Sequence, residues 1–586
     1  MTLASRVASV HYRVEAADLH AHLYRVTLHV AQPAAQQLLS LPVWIPGSYL
    51  VREFSKNLQR LSAKQEGRAV TVHQLDKCTW QAQCVAGSPL VVTYEVYAFD
   101  NSVRTAWLDS QRGFFNATSL CLRVRGLEGM VHSLELAPVK GKPQWKAATG
   151  LAGWRINKRG FGIYLATDYD ELADGPVEIG DFWDAEFKAC GVPHRIVING
   201  APAAFDGEKL VRDMQKICET AIRFWHDRKK PPFKYYLFML NAVDDGYGGL
   251  EHRNSTALIA SRRDLPRVGE TRQPEGYVTL MGLISHEYFH AWNVKRLRPG
   301  EFAHYDYARE NYTQLLWFFE GFTSYYDDLL LRRAGVIDDT AYLKLLNKTA
   351  NQVLQAPGRE VQSVAQASFD AWVKYYRQDE NTPNATISYY TKGALVALCF
   401  DLTLRHEGHA SLDDAMRALW ARCAGGPMTE ADFAAVLKEV GGRSFSRELA
   451  SWVHGTKELP LPTLLPTQGI QIMDEPAQWQ QRLGLRASEA NGSVTLKTVL
   501  RGGPAEQAGM AAGDEWIGVG AGGQMWRIAK VDDLPVYAGA HRKVTALVAR
   551  DRRLLQLELQ LPAASTTWRL ALRDAARAQS WLAAGG

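Results

Sequence analysis

The sequence predicts a multidomain α+β protein with a β-rich N-terminal part, a mainly helical middle and a β-rich C-terminal module. Three observations predict it. At 586 residues the chain is too long for one ordinary domain, and its length suggests three or four. Apolar residues alternate with period two near both ends and recur with helical spacing between about 205 and 455. Pro460, Pro462 and Pro466 lie between the middle and the C-terminal module, a stiff, extended connector in expectation. The expected division is 1–195 for the first domain, 196–457 for the second, 458–466 for the linker, 467–565 for the small β-rich domain and 566–586 for a helical tail.

Composition narrows the function classes. The apolar and charged fractions, 46% and 22%, are those of a globular protein. A net charge of +5 is small for this length, and no basic tract with interleaved aromatics offers a nucleic-acid surface. Seven cysteines without CxxC pairs argue for free thiols in a reducing compartment. Met1 to Val14 holds no sustained apolar core of a signal peptide, and no apolar run is long enough to span a bilayer. A cytoplasmic location and no membrane partner are expected.

In the first domain Tyr24, Val26, Leu28 and Val30 alternate with Arg25, Thr27 and His29, as in a strand with one buried face. Val92, Tyr94 and Val96 repeat the pattern. Pro46-Gly47, within Trp44 to Tyr49, marks a turn flanked by aromatics. Then Arg195 to Ile198 reads as a strand, Leu210 to Trp225 as a helix, and Tyr235 to Leu240 as a buried strand. Gly246-Tyr247-Gly248-Gly249-Leu250-Glu251-His252 breaks this pattern. By itself it reads as a Gly-rich hairpin turn. Next to a catalytic motif it reads differently. Gly248 and Gly249 let the backbone approach a ligand closely, and a strand edge can hold an extended peptide. The Glu251 carboxylate can pair with a free α-amino group.

That motif follows in His286-Glu287-Tyr288-Phe289-His290. Residues four apart share a helix face, so His286 and His290 can hold one metal ion. Glu287 is placed to take a proton from the attacking water. This is the HExxH arrangement of a zinc hydrolase. Tyr277, Leu280, Met281, Ile284 and Tyr288 supply an apolar stripe for the helix. Catalytic zinc takes three protein ligands, and Glu320 is the candidate third. It lies in a second helical pattern with Tyr312, Leu315, Leu316, Phe319, Tyr326 and Leu330 as the buried stripe. Arg332 and Arg333 suit its last turn and Gly335 its cap. Further on, Tyr390 stands before the helix Leu395 to Leu404. Its hydroxyl can support an oxyanion if it faces the metal, and packs in the core if it does not.

In the C-terminal module Val494 and Leu496, then Leu555, Leu557, Leu559 and Leu561, alternate with period two. Gly502 to Met510 and Gly513-Asp514 read as turn, short helix and turn.

The run His286 to Pro299, the run Trp317 to Tyr326 and the run Trp44 to Tyr49 together resemble the glycyl aminopeptidase family of zinc metallopeptidases. The tail resembles a PDZ domain through Leu483-Gly484-Leu485 and Gly503-Pro504-Ala505…Gly513-Asp514. The resemblance covers essentially the whole chain. It implies a gluzincin, a thermolysin-like catalytic domain behind a β domain, with one Zn2+ held by His286, His290 and Glu320 and with Glu287 as base. Gly248 to His252 is similar to the Gly-x-Met-Glu-Asn segment of a related, larger aminopeptidase family, whose glutamate binds the substrate amine. Tyr390-Thr391-Lys392-Gly393 matches that family's oxyanion tyrosine. Three departures stand out. His252 replaces the asparagine, and Ser324 replaces the aspartate that orients a histidine in thermolysin-like enzymes. The interval from His290 to Glu320 is 320 − 290 = 30 positions, so 295–309 is expected to carry an insertion.

The resemblance implies an aminopeptidase acting on peptides with a free N-terminus, glycine or alanine preferred. The rivals are a zinc endopeptidase guided by peptide C-termini at a PDZ groove with Leu483, Gly484 and Leu485 as its carboxylate loop, and a non-catalytic PDZ scaffold. The segment Asp532 to Ala540 is short for a groove helix.

Overall fold

The computed structural model describes residues 8–227, 230–408 and 410–583. Met1 to Val7, on which the expected absence of a signal peptide partly rests, lie outside the described residues. The chain forms two compact units, one of residues 1–312, 333–336 and 420–428, the other of residues 313–332, 337–419 and 429–586.

The first unit opens on an eight-stranded sheet and two four-stranded sheets. The alternation in the sequence is what builds them. Tyr24, Val26, Leu28 and Val30 are buried, as are Val92, Tyr94 and Val96 on the neighbouring strand Leu90–Tyr97. Burying tyrosines is tolerable because their hydroxyls find acceptors. Tyr12 and Tyr94 donate to the carbonyls of Leu122 and Leu120 at 2.5 and 2.7 Å.

A five-stranded sheet follows. We label its strands β1 (Trp183–Ala189), β2 (Val192–Asn199), β3 (Tyr236–Val243), β4 (Tyr247–Glu251) and β5 (Ser255–Ser261). Their spatial order is β1-β2-β3-β5-β4, parallel in the middle and antiparallel at both edges. Residue 195, the expected domain junction, lies inside β2, and this sheet already begins at Trp183. The Gly-rich stretch is an edge strand, β4, rather than only a turn. Helix α1 (Gly207–His226) is capped by the Asp206 side chain. Helix α2 (Glu275–Phe289) packs on β4 and β5. It is buried nearly all round rather than along one stripe, as expected of a helix inside a large core.

The expected insertion, 295–309, docks on the aromatic turn of the first sheets. Trp44 Nε1 donates to the Asp306 carbonyl at 2.8 Å, and the Val43 N–H donates to the Tyr307 carbonyl at 2.9 Å.

In the second unit, helix α3 (Leu316–Arg333) and helix α4 (Thr391–Glu407) cross at glycines. A Cβ on Gly321 would lie 2.5 Å from the Gly393 Cα, so only bare backbone fits. Tyr312 falls before α3 begins and is exposed, which corrects its place in the expected stripe. Asp401 on α4 is fully buried. It accepts from Arg405 Nε and the Leu412 N–H at 2.9 and 2.8 Å and from the Tyr325 hydroxyl at 2.6 Å.

Two C-terminal expectations are corrected. The proline connector is not extended: it contains the turns Leu461–Leu464 and Leu465–Gln468, with proline in the first turn of each, where its missing N–H costs nothing. The tail is not purely helical. Thr566–Leu572 is a strand paired with Ile470–Pro476, and only Ala575–Leu582 is helix. Its period-two pairing with a distant segment was invisible to local spacing. Between them lies a six-stranded sheet with its own apolar core, including Leu483, Val494, Trp516, Val548 and Leu559. Among the described residues no helix is long and apolar enough to cross a membrane.

The Asp401 node predicts a stability effect. Asp401→Ala takes from the largely buried Arg405 its nearer carboxylate and leaves only Asp413 at 3.8 Å. It is expected to cost about 3–5 kcal/mol, read as a lowered Tm or denaturant midpoint.

Candidate metal centre

The HExxH residues sit at the end of α2. His286 and Glu287 are in its last turn, and His290 is its C-cap, still in helical conformation, with its N–H on the His286 carbonyl. The helix therefore holds both imidazoles one turn apart and stops immediately after them. Their Nε2 atoms are 3.0 Å apart. Two nitrogens bound tetrahedrally to zinc at about 2.0–2.1 Å are roughly 3.3 Å apart.

His290 Nδ1 faces the Asn293 carbonyl at 2.8 Å. A carbonyl only accepts, so Nδ1 carries the proton and Nε2 is left as the metal-binding atom. The aspartate missing at Ser324 is thus replaced, for this histidine, by a backbone oxygen just beyond the helix. The tight exit at 291–295, with Asn293 N–H on the Phe289 carbonyl and Val294 at φ +107, positions it.

Glu320 on α3 completes the set. One ligand atom from each of His286, His290 and Glu320 lies within 4.8 Å of the others, so the group could hold a metal ion. Glu320 is 2% exposed, and a carboxylate so buried is costly unless a cation meets it. Two neutral imidazoles and one carboxylate form a zinc donor set that leaves a position for water. The residues present fit the ion.

Glu287 is buried against β4 and β5. A Cβ on Gly249 would lie 2.0 Å from its Oε1, so residue 249 must be glycine for the carboxylate to sit there. Thr256 Oγ1 lies 3.5 Å from Glu287 Oε2 and donates to the Leu250 carbonyl at 3.1 Å, tying the Glu287 carboxylate to the edge strand. Side chains two apart on a strand point to one face. Glu251 therefore projects to the side on which Gly249 meets Glu287. Glu251 is 4% exposed. Gly248 has φ +158 and leaves room for Arg104, whose Nη2 approaches the Gly249 carbonyl at 3.5 Å.

Tyr390 is the N-cap of α4. Burial, then the negative charge of Glu320, holds its pKa well above the usual tyrosine value, so the hydroxyl remains a donor at neutral pH. The Gly321–Gly393 crossing brings its helix against the one carrying Glu320. Leu483, Gly484 and Leu485 belong elsewhere, in the C-terminal module. The Gly484 N–H already caps the helix Trp479–Leu483, bonding to the Gln481 carbonyl at 3.1 Å, and both leucines are buried.

Sequence reasoning missed Asn293, Thr256 and Arg104. A carbonyl used as a ligand-orienting group leaves no mark in a residue's type. Thr256 and Arg104 act through partners 31 and 145 positions away.

Three residues that could hold a metal ion, with a carboxylate next in sequence to the first of them, are the arrangement of a metallohydrolase. Comparison with known proteins makes the class specific. Residues 279–396 match the M61 glycyl aminopeptidase model, and residues 11–181 match the peptidase M61 N-terminal domain. An aminopeptidase N family protein from Idiomarina loihiensis, known from its crystal structure, is 36% identical. Its TM-score is 0.93, with 98% of this chain and 100% of that one covered. M1 zinc metallopeptidase structures from Deinococcus radiodurans align at 15% identity and TM-score 0.47, over 78% of this chain and 95% of theirs. No curated protein matched the sequence. The chain belongs to the M61 glycyl aminopeptidase family. It is a metallo-aminopeptidase with zinc as its cofactor, not a non-catalytic scaffold.

The ligand set predicts the metal content. Elemental analysis of dialysed protein should give one zinc per chain. His290→Ala and Glu320→Ala should each weaken binding by at least about 100-fold, more than the 10–100-fold typical of outer-shell partners.

Proposed function

We propose that the protein removes the first residue from peptides with a free N-terminus. His286, His290 and Glu320 hold the zinc ion. Glu287 is the general base, Tyr390 the oxyanion donor and Glu251 the anchor for the substrate's ammonium group, with Gly248 and Gly249 lining the peptide's path. The observation that carries the reading is Glu251. A carboxylate this buried, on the face of the edge strand that meets Glu287, suits a cationic ligand, and a peptide's α-ammonium is one.

Zinc, when bound, acidifies water toward a pKa of about 7 and polarises a carbonyl. Glu287 takes the proton from the attacking water and delivers it to the departing amine. Tyr390 donates to the oxygen that gains negative charge. Gly249 and Glu251 are roughly 6–7 Å apart along the strand, so an N-terminus held at Glu251 leaves only its first peptide bond within reach of Glu287. Small first residues, glycine or alanine, are the proposed preference, in line with the family's description as glycyl aminopeptidases.

We read the C-terminal sheet as a PDZ-like module that does not capture peptides. The strand Leu485–Ala490 lies at the sheet edge, where a peptide would add. Its Ala487 N–H is already taken by Gln480 Oε1 at 2.9 Å. Glu489 Oε1 accepts from the Val531 N–H at 3.0 Å, bridging toward the short helix Leu534–Ala538. This disfavours the PDZ-guided endopeptidase.

Glu287→Gln is expected to lower kcat by at least about 1,000-fold while zinc content stays at one. Glu251→Ala should raise KM for a free-amine anilide about 10- to 100-fold, the worth of one charge-assisted contact. N-acetylated peptides should be spared by the wild type. Their cleavage at rates matching the free peptides would make the protein an endopeptidase.

A further inference from the structure

A peptide held by its N-terminus at Glu251, with its first peptide bond at Gly249 where Glu287 meets the strand, runs on toward Gly248. A guanidinium stands there. Arg104 Nη2 lies 3.5 Å from the Gly249 carbonyl, and a Cβ on Gly248 would lie 3.7 Å from Nη1 and 3.9 Å from Nη2. The Arg104 Nε is buried and has no hydrogen-bond partner, and among the described residues no carboxylate pairs with the guanidinium. Taking an arginine partly out of water with no acid to meet it is costly, and an anionic ligand would offset that cost.

The chain around Arg104 is held on both sides. Asn116, fully buried, donates its Nδ2 to the carbonyls of Val103 and Thr105 at 2.9 and 3.3 Å. Asn101 Oδ1 accepts from Arg112 Nη1 at 2.9 Å and from Asn241 Nδ2, on β3, at 2.8 Å. Arg112 is fixed in turn by the Glu178 carboxylate, at 3.1 and 3.2 Å. The segment 101–105 is thus tied both to the β-rich N-terminal part and to the sheet that carries β4. A cation fixed in advance loses less freedom when its ligand arrives. Its place along the strand sets the length of that ligand. Gly249 and Gly248 are two and three residues from Glu251, roughly 7 and 10 Å at the rise of a strand. An extended tripeptide spans about 10 Å. A guanidinium fork meets a carboxylate with two parallel hydrogen bonds, whereas an internal peptide carbonyl brings no charge to it.

We propose that Arg104 receives the C-terminal carboxylate of a tripeptide whose N-terminus is held at Glu251, and so selects tripeptides over longer chains and over peptides that lack a free carboxylate. The β-rich N-terminal part thereby sets the length of the substrate. This rests on the reading of Glu251 as amine anchor.

The test is steady-state kinetics of the zinc-loaded full chain on glycyl-glycyl-glycine and on its C-terminal amide, both with free amines. The wild type should favour the acid about tenfold in kcat/KM, the worth of one charge-assisted contact. With the glycine pentapeptide and its amide that ratio should fall to within about twofold of one, because the longer chain carries its carboxylate past Arg104. Arg104→Met keeps an apolar stem without the charge, and should bring the tripeptide ratio to within about twofold of one. Arg104→Lys keeps a cation without the fork and should retain a ratio of about threefold. A wild-type tripeptide ratio near one, a ratio that does not change with peptide length, or a ratio that survives Arg104→Met overturns the proposal. If Arg104→Met does not fold, the wild-type length series decides. Glu251→Ala run alongside separates the two levels. If it raises KM for the tripeptide while the wild-type ratio is near one, only the role of Arg104 fails; if it leaves KM unchanged, the anchor reading fails first.

Discussion

A carboxylate buried on a helix of aromatic residues is the constraint that orders this molecule. Glu320 shares its helix with Trp317, Phe318, Phe319 and Phe322, all fully buried, and is itself 2% exposed. No apolar core keeps such a group ionised without a counter-charge. A metal ion, which His286 and His290 could hold with it, is such a counter-charge. The surrounding architecture answers to it: α2 must end where its second histidine can be turned by a carbonyl, and α3 must present its glutamate at a glycine crossing where nothing wider fits.

A second layer of the same logic runs along the edge strand. Gly249 and Glu251 share a face of the strand, and Gly249 meets Glu287 there, so the proposed base and the proposed anchor lie along one strip of sheet. The strip is not self-sufficient. Backbone from Gly47 and the carboxylate of Asp174 border it, both supplied by a part of the chain that precedes the peptidase motif by more than a hundred positions. The first 180 residues are thus part of the site's wall rather than an appendage.

Much of this could be read from residue order. Period-two alternation at Tyr24 to Val30 and helical spacing at Tyr277 to Tyr288 gave true elements, because both record which face meets the core. HExxH places its ligands within one helical turn, so local geometry brings the histidines together. What stayed hidden depends on long-range pairing. The strand Thr566–Leu572 exists only because Ile470–Pro476 lies beside it. The proline connector coils because proline suits a first helical turn as well as an extended run. Tyr312 kept the stripe's spacing but fell outside the helix, since spacing does not mark where a helix starts. His252 departs from the related asparagine, and its partner Asp174, 3.2 Å away, lies 78 positions earlier in the chain.

The end of the chain has a bearing on how the protein can be handled. Trp581 Nε1 donates to the Tyr325 hydroxyl at 2.8 Å, and that hydroxyl donates in turn to Asp401. Tyr325 stands five residues beyond Glu320. Clipping by a protease, or a fusion that pulls the last helix from its seat, would loosen the helix that carries the third metal ligand. Affinity handles are therefore safer placed away from this terminus.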